Sequence, residues 1–251
     1  DSILARPRFE ALTTLAAVAA RTRRVRLGTA VMLPALRHPV ILANEIANVD
    51  RISGGRLILG LGLASKTDSV AREFAACGVP HVQRVGRFEE TITLLRRLWT
   101  EPSVSFEGRY FKLEDVHLTL RPIQQPGPPL WLAGNVAPAI ERAVRLGDGW
   151  QPNVPTHETF AAAHAEYVRA AVAAGRDPKR LDVCIYTTIN VNDDAAQAER
   201  EVRAFIEGYY DSSYDLQRKR QSVCAGTPST CADWLNGFLA AGARSIVLRF
   251  G

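Results

Sequence analysis

Apolar residues recur along this chain at two spacings that alternate from one segment to the next. Short runs that are apolar throughout are typical of strands buried on both faces, whereas a three-to-four-residue spacing is typical of helices. The pattern predicts strands at residues 25–33, 57–61, 130–133, 149–152, 183–192 and 245–250. It predicts helices at residues 9–22, 39–53, 82–99, 136–146, 156–174, 195–209 and 227–241.

The order of these elements indicates the fold class. Strict alternation of strands and helices is typical of a parallel sheet covered by helices. We therefore expect an α/β fold of the TIM (β/α)8 barrel type, with an open doubly wound sheet as the alternative. Six predicted strands are two short of a closed barrel. We expect that a β–α–β segment before Asp1 and a closing helix after Gly251 are missing from this chain.

Three segments lie outside the regular alternation. Residues 103–129 predict an excursion that begins with a hairpin around Glu107 and Gly108. Residues 62–81 are rich in small residues and predict a loop, and the polar residues 211–220 allow no assignment. We otherwise expect a single domain over residues 1–251.

Charge and cysteine content exclude several classes of protein. The 251 residues carry a net charge of +5, and 27 of the 31 basic residues are arginines, which indicates a GC-rich bacterial source more than a nucleic-acid partner. No apolar run reaches the roughly 18 residues that span a membrane. The four cysteines form no C-x-x-C pair and no metal spacing, so we expect no metal and interpret them as buried free thiols of a cytoplasmic protein.

Residues 25–62 are the most informative stretch, because they predict a strand, a helix and a second strand in direct succession. Ligands of parallel α/β proteins bind at the carboxyl ends of the strands. Arg37 and His38 follow the first strand, where an arginine could hold a phosphate and a histidine could act as an acid or base. The alternative, which we favour, is that His38 caps the helix beginning at Pro39.

Two glycine-containing turns also follow strands. Gly60 to Ser65 only partly matches the dinucleotide pattern G-x-G-x-x-G, since Ser65 replaces the third glycine; the turn either admits a flat ligand or is a simple tight turn. Residues 133–139 lead into a helix, whose N–H groups could bind an anion such as phosphate, although a plain turn would also favour Gly and Asn.

Trp150 follows a sharp turn, and we expect it to point into the barrel or at its mouth. No hydrolase, zinc-protease or Walker motif is present.

Taken together, six segments resemble the luciferase-like family of flavin-dependent oxidoreductases. They occur in family order over residues 9–152, and the likeness resumes over residues 226–250. The segments are VRLGTAV, RHPVILAN, NVDRISGGRLILGLG, RFEETITLLRRLW, PPLWLAGN and RLGDGWQPN. The family has monooxygenase members that use FMN and members that use the deazaflavin coenzyme F420, and its fold is an eight-stranded β/α barrel.

The resemblance implies a cofactor site with two ends. At the ring end, Asp1 corresponds to an acid near the ring, and the family often has a non-proline cis peptide where Ala30 and Val31 fall. Leu33, Leu63 and Ala64 would line the same pocket. The cofactor's phosphate would be bound by Gly134, Asn135, Val136, Pro138 and Ala139. The catalytic group stays unassigned, with Asp1 and His38 as candidates.

The implied activity is oxidoreduction of a small organic substrate, either as a monooxygenase with reduced FMN from a partner reductase or by hydride transfer with F420. Sugar-phosphate dehydrogenases of the deazaflavin branch carry His where this chain has Ser2 and Glu where it has Ser65, which argues against that activity here. A non-catalytic carrier or sensor, or a degenerate paralogue, is the alternative. We expect no nucleic-acid or membrane partner. The oligomeric state is left open, with a homodimer as the candidate.

Overall fold

The computed structural model describes residues 3–4 and 7–251 and divides the chain into two compact units. The first unit ends at Trp131, and the second comprises Leu132–Gly251. Asp1 and Ser2, which the sequence analysis singled out, lie outside the described residues.

The first unit begins with one helix, which is followed by the predicted strand–helix–strand segment, two further helices and a hairpin. Its elements are α1 (Ala11–Arg21), β1 (Leu27–Met32), α2 (Pro39–Ser53), β2 (Leu57–Leu61), α3 (Asp68–Ala76), α4 (Arg84–Thr100), β3 (Val104–Glu107) and β4 (Lys112–Val116). Strand β5 (Leu130–Ala133) crosses the boundary between the units.

Strands β1 and β2 pair in parallel, as a strand–helix–strand segment requires. The register pairs Leu27 with Leu57 and Thr29 with Leu59, then shifts before Met32 pairs with Leu61. All five residues of β2 are buried, which confirms the prediction of a fully buried strand. The shift makes β1 irregular at Ala30 and Val31, near its carboxyl end.

Helix α2 has the predicted bounds because a start signal and a stop signal in the sequence mark its two ends. Pro39 occupies the first turn, where its missing N–H costs nothing, and Gly54 ends the helix in the left-handed conformation (φ 66°). Helix α4 packs on α2, and the Trp99 indole donates a hydrogen bond to the Ala43 carbonyl (3.2 Å). Leu95 is fully buried, which confirms the predicted register of this helix.

The predicted hairpin is present as β3 and β4, which pair antiparallel, and two carboxylates tie this excursion to the helices. Glu90 accepts hydrogen bonds from the N–H groups of Arg109, Tyr110 and Phe111 (2.8–3.1 Å). Asp50 is fully buried and accepts from the N–H groups of Ile123 and Gln124 and from the Gln124 amide (2.7–3.1 Å).

The second unit is built around one long strand. After β5 come α5 (Ala137–Leu146), β6 (Gly149–Gln151), α6 (His157–Ala173), β7 (Asp182–Val191), α7 (Ala195–Tyr210), α8 (Tyr214–Arg218), β8 (Ser222–Gly226), α9 (Pro228–Ala240) and β9 (Ser245–Phe250). Strand β7 pairs in parallel with β6, β8 and β9. The predicted parallel arrangement is therefore confirmed within this unit.

An aromatic stack fixes helix α6 against β6. Trp150 is fully buried and stacks on Tyr167 (5.1 Å between ring centroids) and on Phe160 (6.0 Å). Phe160 also meets Phe238 of α9 edge to face (5.6 Å). The expectation that Trp150 points into a barrel or at its mouth was wrong, because large rings on α6 give the indole an apolar place to pack.

Three elements among the described residues were not predicted: helix α3, helix α8 and strand β8. Helix α8 lies in the polar segment 211–220, to which no element was assigned. Helix α3 lies in the segment that was predicted to be a loop. The prediction was wrong because most residues of this segment are small or exposed, and the helix buries only one pair, Glu73 and Phe74. Strand β8 was not predicted, because its five residues lack a clear spacing and their strand conformation depends on pairing with β7. Among the described residues, no helix is long and apolar enough to cross a membrane.

Candidate functional site

In the first unit, β1 borders a groove against α1. The cavity has a volume of about 320 Å³, at the lower end of the range for small-molecule sites. It is lined by Phe9, Ala11, Thr14 and Leu15 on one side and by Gly28, Thr29, Ala30 and Val31 on the other. Two of the predicted ring-binding residues, Ala30 and Val31, therefore lie together in an accessible and largely apolar cavity.

The peptide bond between Ala30 and Val31 is cis. The prediction of a non-proline cis bond within Thr29 to Val31 is confirmed. The same segment is held to β2 by a hydrogen bond from the Thr29 hydroxyl to the Gly60 carbonyl (2.7 Å).

Three other predicted ring-binding residues, Leu33, Leu63 and Ala64, lie elsewhere in the first unit, and Asp1 lies outside the described residues. Leu33 is buried in an apolar cluster with Ala35, Phe74 and Val79, and Ala64 packs against that cluster. Leu63 is half-buried. The structure therefore does not bring Leu33 and Ala64 into the groove that Ala30 and Val31 line, because helix α3 covers them with its own apolar face.

Arg37 and His38 occupy the turn between β1 and α2. The Val40 N–H donates to His38 Nδ1 (3.4 Å), so His38 is the residue that caps α2, as the favoured interpretation expected. Arg37 pairs with Glu10, the capping residue of α1 (3.0 Å). Burial raises the pKa of Glu10, but hydrogen bonds from the Thr13 and Leu12 N–H groups and from Arg37 outweigh it and lower that pKa below its ordinary value. The structure thus gives both residues a role at helix starts, and catalysis by His38 stays a prediction.

In the second unit, residues 134–139 form the turn from β5 into α5. Gly134 has a φ of 125°, and a Cβ atom there would come within 2.6 Å of the Ala139 Cβ. Asn135, Val136 and Pro138 are exposed, and Ala139 is buried beneath them. All five predicted phosphate-binding residues therefore belong to one short turn, of which three side chains face solvent.

The start of α5 has the electrostatic character of an anion site. Val136 precedes the helix without any side-chain cap, and the first turn contains no acidic residue. The first N–H groups of a helix have no partner within the helix and carry a partial positive charge. Small, exposed residues at this end therefore leave main-chain donors accessible to an anion such as phosphate.

Two contacts that the sequence did not predict fix this turn. The Trp150 indole N–H donates to the Gly134 carbonyl (2.6 Å), and the Asn135 amide donates to the Asn153 carbonyl (3.0 Å). Both come from β6 or the loop after it. The segment GDGWQPN places an indole directly after the neighbouring turn and could have indicated the first contact. The second contact uses a main-chain carbonyl as its acceptor, which leaves no signal in the sequence.

One further region carries no assigned chemistry. An open depression of about 560 Å³ lies over the hairpin and is lined by Ser105, Phe106, Glu107, Lys112, Leu113 and Glu114. It is far in sequence from every predicted site residue, so its larger volume does not make it the site. Within the described part of the chain, no three His, Cys, Asp or Glu side chains are placed to hold a metal ion.

Comparison with known proteins decides the family. The profile of the luciferase-like monooxygenases matches residues 2–225. The chain belongs to the luciferase-like monooxygenase family. The resemblance that the six sequence segments indicated is thereby confirmed.

One curated relative named for F420 and one curated reductase are both similar to this chain. An F420-dependent glucose-6-phosphate dehydrogenase of Intrasporangium calvum is 40% identical over 143 residues, which are 56% of this chain and 42% of the relative. A 5,10-methylenetetrahydromethanopterin reductase of Methanolobus tindarius is 28% identical over 230 residues, which are 92% of this chain and 67% of the relative. This luciferase-like chain therefore spans about two fifths to two thirds of the length of these relatives.

A solved structure confirms the fold class. The crystal structure of monooxygenase RslO1 from Streptomyces bottropensis has a TM-score of 0.79 and 30% identity to this chain. The match covers 96% of this chain and 75% of that one. The prediction of a luciferase-like α/β fold of the TIM-barrel type is therefore confirmed.

Proposed function

We propose that this luciferase-like chain binds the phosphate-bearing tail and the flat ring of FMN or coenzyme F420 in an oxidoreductase that acts on a small organic substrate. The observation that carries the proposal is the uncapped start of α5, where Gly134 brings the main chain close to Ala139 and leaves no room for a Cβ atom. Both cofactors have a phosphate, which is the group that such a helix start favours.

The proposed phosphate end consists of Gly134, Asn135, Val136, Pro138 and Ala139. Main-chain N–H groups of residues 135–137 would donate to the phosphate oxygens, because Pro138 has no N–H and the Ala139 N–H already donates to the Val136 carbonyl (2.8 Å). The exposed Val136 side chain (61% exposed) would cover the bound group from one side. Asn135 would hold the turn in place through its bond to the Asn153 carbonyl. No protein cation is needed, because the helix start itself supplies the positive potential.

The proposed ring end consists of Ala30 and Val31, to which the family resemblance adds Asp1 and Leu63. The resemblance also implies Leu33 and Ala64, but these two pack with Phe74 of α3 and not in the groove. In the groove beside β1, small side chains leave a flat apolar wall that would exclude water from a ring lying on it. The bound cofactor would supply the redox chemistry, and the chain's own residues would bind, orient and shield it.

The names of the relatives support both cofactors, since F420 stands in the names of dehydrogenases and a reductase, and a monooxygenase is among the similar structures. With FMN, a partner reductase would supply the reduced cofactor.

We do not propose glucose-6-phosphate as the substrate, because Ser2 and Ser65 stand where that branch of the family carries its acid and base. Ser65 is exposed, and its hydroxyl lies 3.5 Å from the Thr67 hydroxyl.

The buried free thiols Cys184, Cys224 and Cys231 favour the cytoplasm as the location of this protein.

Anaerobic titration of the chain with reduced and oxidised FMN and F420 tests the proposal, with absorbance and fluorescence as the readouts. We expect a saturable spectral change with one of the two cofactors. Admission of oxygen then tests for monooxygenase chemistry, with reduced FMN alone as the control because it reoxidises by itself. A reoxidation rate that differs from this control indicates that the bound cofactor reacts on the protein. Absence of any spectral change with both cofactors would contradict the proposal and favour a degenerate paralogue.

Two matched pairs of variants localise the binding. Gly134→Ala forces a side chain against Ala139, and we expect at least tenfold weaker cofactor binding. Gly175 also has a positive φ (69°), but an added Cβ there meets no atom within 4 Å, so Gly175→Ala should bind the cofactor normally.

Asn135→Asp puts a carboxylate beside the phosphate and loses its hydrogen bond to Asn153, and we again expect weaker cofactor binding. Asn48→Asp loses the same kind of bond, from an amide to a main-chain carbonyl (2.8 Å), and serves as its control.

A further inference from the structure

Two buried thiols meet where β8 joins α9. The sulfur atoms of Cys224 and Cys231 are 3.9 Å apart, and both cysteines are free. Cys224 lies in β8 and Cys231 in the first turn of α9, so the seven-residue step between them closes a tight loop through Gly226 and Thr227. They are 9% and 2% exposed, and they pack with Ile189, Trp234 and Leu235.

The surroundings of the pair make the two sulfurs unequal. The Cys231 thiol lies 3.6 Å from the carbonyl oxygens of Asn190 and Gly226, so it has two main-chain acceptors. Burial, and then the neighbouring Cys231, raise the pKa of the Cys224 thiol to about 12. Cys224 is therefore a poor first nucleophile, which leaves Cys231 as the sulfur that is oxidised first.

We propose that Cys224 and Cys231 form an oxidisable dithiol, which hydrogen peroxide converts into an intrachain disulfide that links β8 to the first turn of α9. In the first step the Cys231 sulfur attacks one peroxide oxygen, the O–O bond breaks, and a sulfenic acid and one water form. In the second step the Cys224 sulfur attacks that sulfenic sulfur, and the hydroxyl leaves as a second water. Two thiols lose two electrons and two protons, and one peroxide is reduced to two waters.

The required movement is small. The sulfurs must approach from 3.9 Å to the roughly 2.0 Å of a disulfide bond, a displacement shared between a strand and a helix end. Because both thiols are buried, we expect the reaction to be slow in the folded protein. The product would cross-link the chain at a point where β8 and α9 are joined by only a short loop, which limits the freedom of the unfolded chain.

Peptide mapping of the wild-type chain tests the proposal without any substitution. Trypsin cleaves after Arg220 and Arg244, so Cys224 and Cys231 lie in one peptide, while Cys77 and Cys184 lie in two others. After peroxide treatment, unfolding and alkylation, we expect the 221–244 peptide to carry no alkyl groups and to be lighter by two hydrogen atoms. Alkylation of both of its cysteines, or their conversion to sulfinic acids without a bond between them, would overturn the proposal.

A stability measurement gives a second readout, with a buried cysteine as the matched control. Cys184 is fully buried, and its nearest hydrogen-bond acceptor is the Ile185 carbonyl (3.8 Å). We expect peroxide to shift the urea unfolding midpoint of the wild type and of Cys184→Ser upward, with reversal by dithiothreitol. No such shift should occur in Cys224→Ser. An equal shift in Cys224→Ser, or its absence in the wild type, would contradict the proposal.

Discussion

Charged side chains that are partly or fully buried are stabilised in two different ways in the two units. In the first unit, the Asp50 and Glu90 carboxylates accept hydrogen bonds mainly from main-chain N–H groups of the excursion that contains the hairpin. In the second unit, the Arg249 guanidinium donates to the side-chain oxygens of Thr188 (2.5 and 3.0 Å), Tyr210 (2.9 Å) and Gln221 (2.9 Å). Among the described residues, no carboxylate lies within ion-pair distance of Arg249.

The main chain explains the difference. Residues 109–111 and 123–124 lie outside regular structure, so their N–H groups are available to a single carboxylate. Strands β7 and β9 pair along six residues, and their main-chain groups are used in that pairing. A charge on β9 must therefore be stabilised by side chains. Arg249 also lies over four aromatic rings, at 4.7–5.4 Å from their centroids; they are Tyr186, Phe205, Tyr209 and Tyr210.

Removal of the Asp50 carboxylate breaks the arrangement in the first unit and should have the largest effect. Asp50→Ala leaves two N–H groups and one amide without their acceptor, and we expect a loss of about 3 kcal/mol in the free energy of unfolding. Asp50→Asn keeps one acceptor oxygen and should lose less. Urea unfolding followed by tryptophan fluorescence measures both; an unchanged midpoint for Asp50→Ala would mean that the excursion is held by other contacts.

Removal of the Arg249 charge is the corresponding change in the second unit. Arg249→Met keeps an apolar stem but leaves the Thr188 hydroxyl without this donor and the Gln221 oxygen with only the Tyr210 hydroxyl as donor (3.2 Å), and we expect a loss of about 2 kcal/mol. Arg249→Lys keeps the charge over the rings and should be intermediate between the methionine variant and the wild type. If the lysine and methionine variants unfold at the same urea concentration, the aromatic rings contribute nothing measurable to the stabilisation of the cation.

A smaller change tests an uncharged contact in the second unit. Trp150→Phe keeps an aromatic ring against Tyr167 and Phe160 but removes the hydrogen bond to the Gly134 carbonyl. We expect a loss of about 1 kcal/mol in stability. We also expect weaker cofactor binding, because this carbonyl belongs to the turn proposed to bind the phosphate. Cofactor titration and urea unfolding of the same variant separate the two effects.

The smallest effect is a pH dependence from His164, which stacks on Phe160 (6.0 Å). Burial, together with Arg244, lowers the pKa of His164 below its ordinary value despite a main-chain contact with Ala241. The unfolded chain therefore binds a proton at higher pH than the folded chain does. Stability should be fully present above about pH 6.5, the ordinary value, and fall as the pH decreases through the lowered pKa. His164→Gln should flatten this part of the profile, and an unchanged slope would contradict the assignment.

Local signals in the sequence account for much of the fold. Pro39 and Gly54 predicted the ends of α2, and the apolar run 57–61 predicted β2, because in both cases a few adjacent residues determine the conformation. Helix α3 and strand β8 were missed because tertiary contacts stabilise them: α3 depends on burial of Phe74, and β8 depends on pairing with β7.

In the candidate site too, features that depend on adjacent residues could be predicted from the sequence, whereas features that depend on tertiary contacts could not. The turn at Gly134 to Ala139 could be placed from its residues, since a glycine and a helix start are local features. The clustering of Leu33 and Ala64 with Phe74 could not, because it depends on how α3 folds back. The meeting of Cys224 and Cys231 was also beyond the sequence analysis, because the intervening residues gave no strand signal for β8.

The bond from the Trp150 indole to the Gly134 carbonyl has a practical consequence. An indole that is fully buried and hydrogen-bonded to the turn at α5 is an intrinsic optical probe of that turn. Any ligand that moves Gly134 should change the emission of this one residue. In a chain whose other tryptophans, Trp99, Trp131 and Trp234, are replaced by phenylalanine, occupancy could be followed without a label, even for molecules that are themselves colourless.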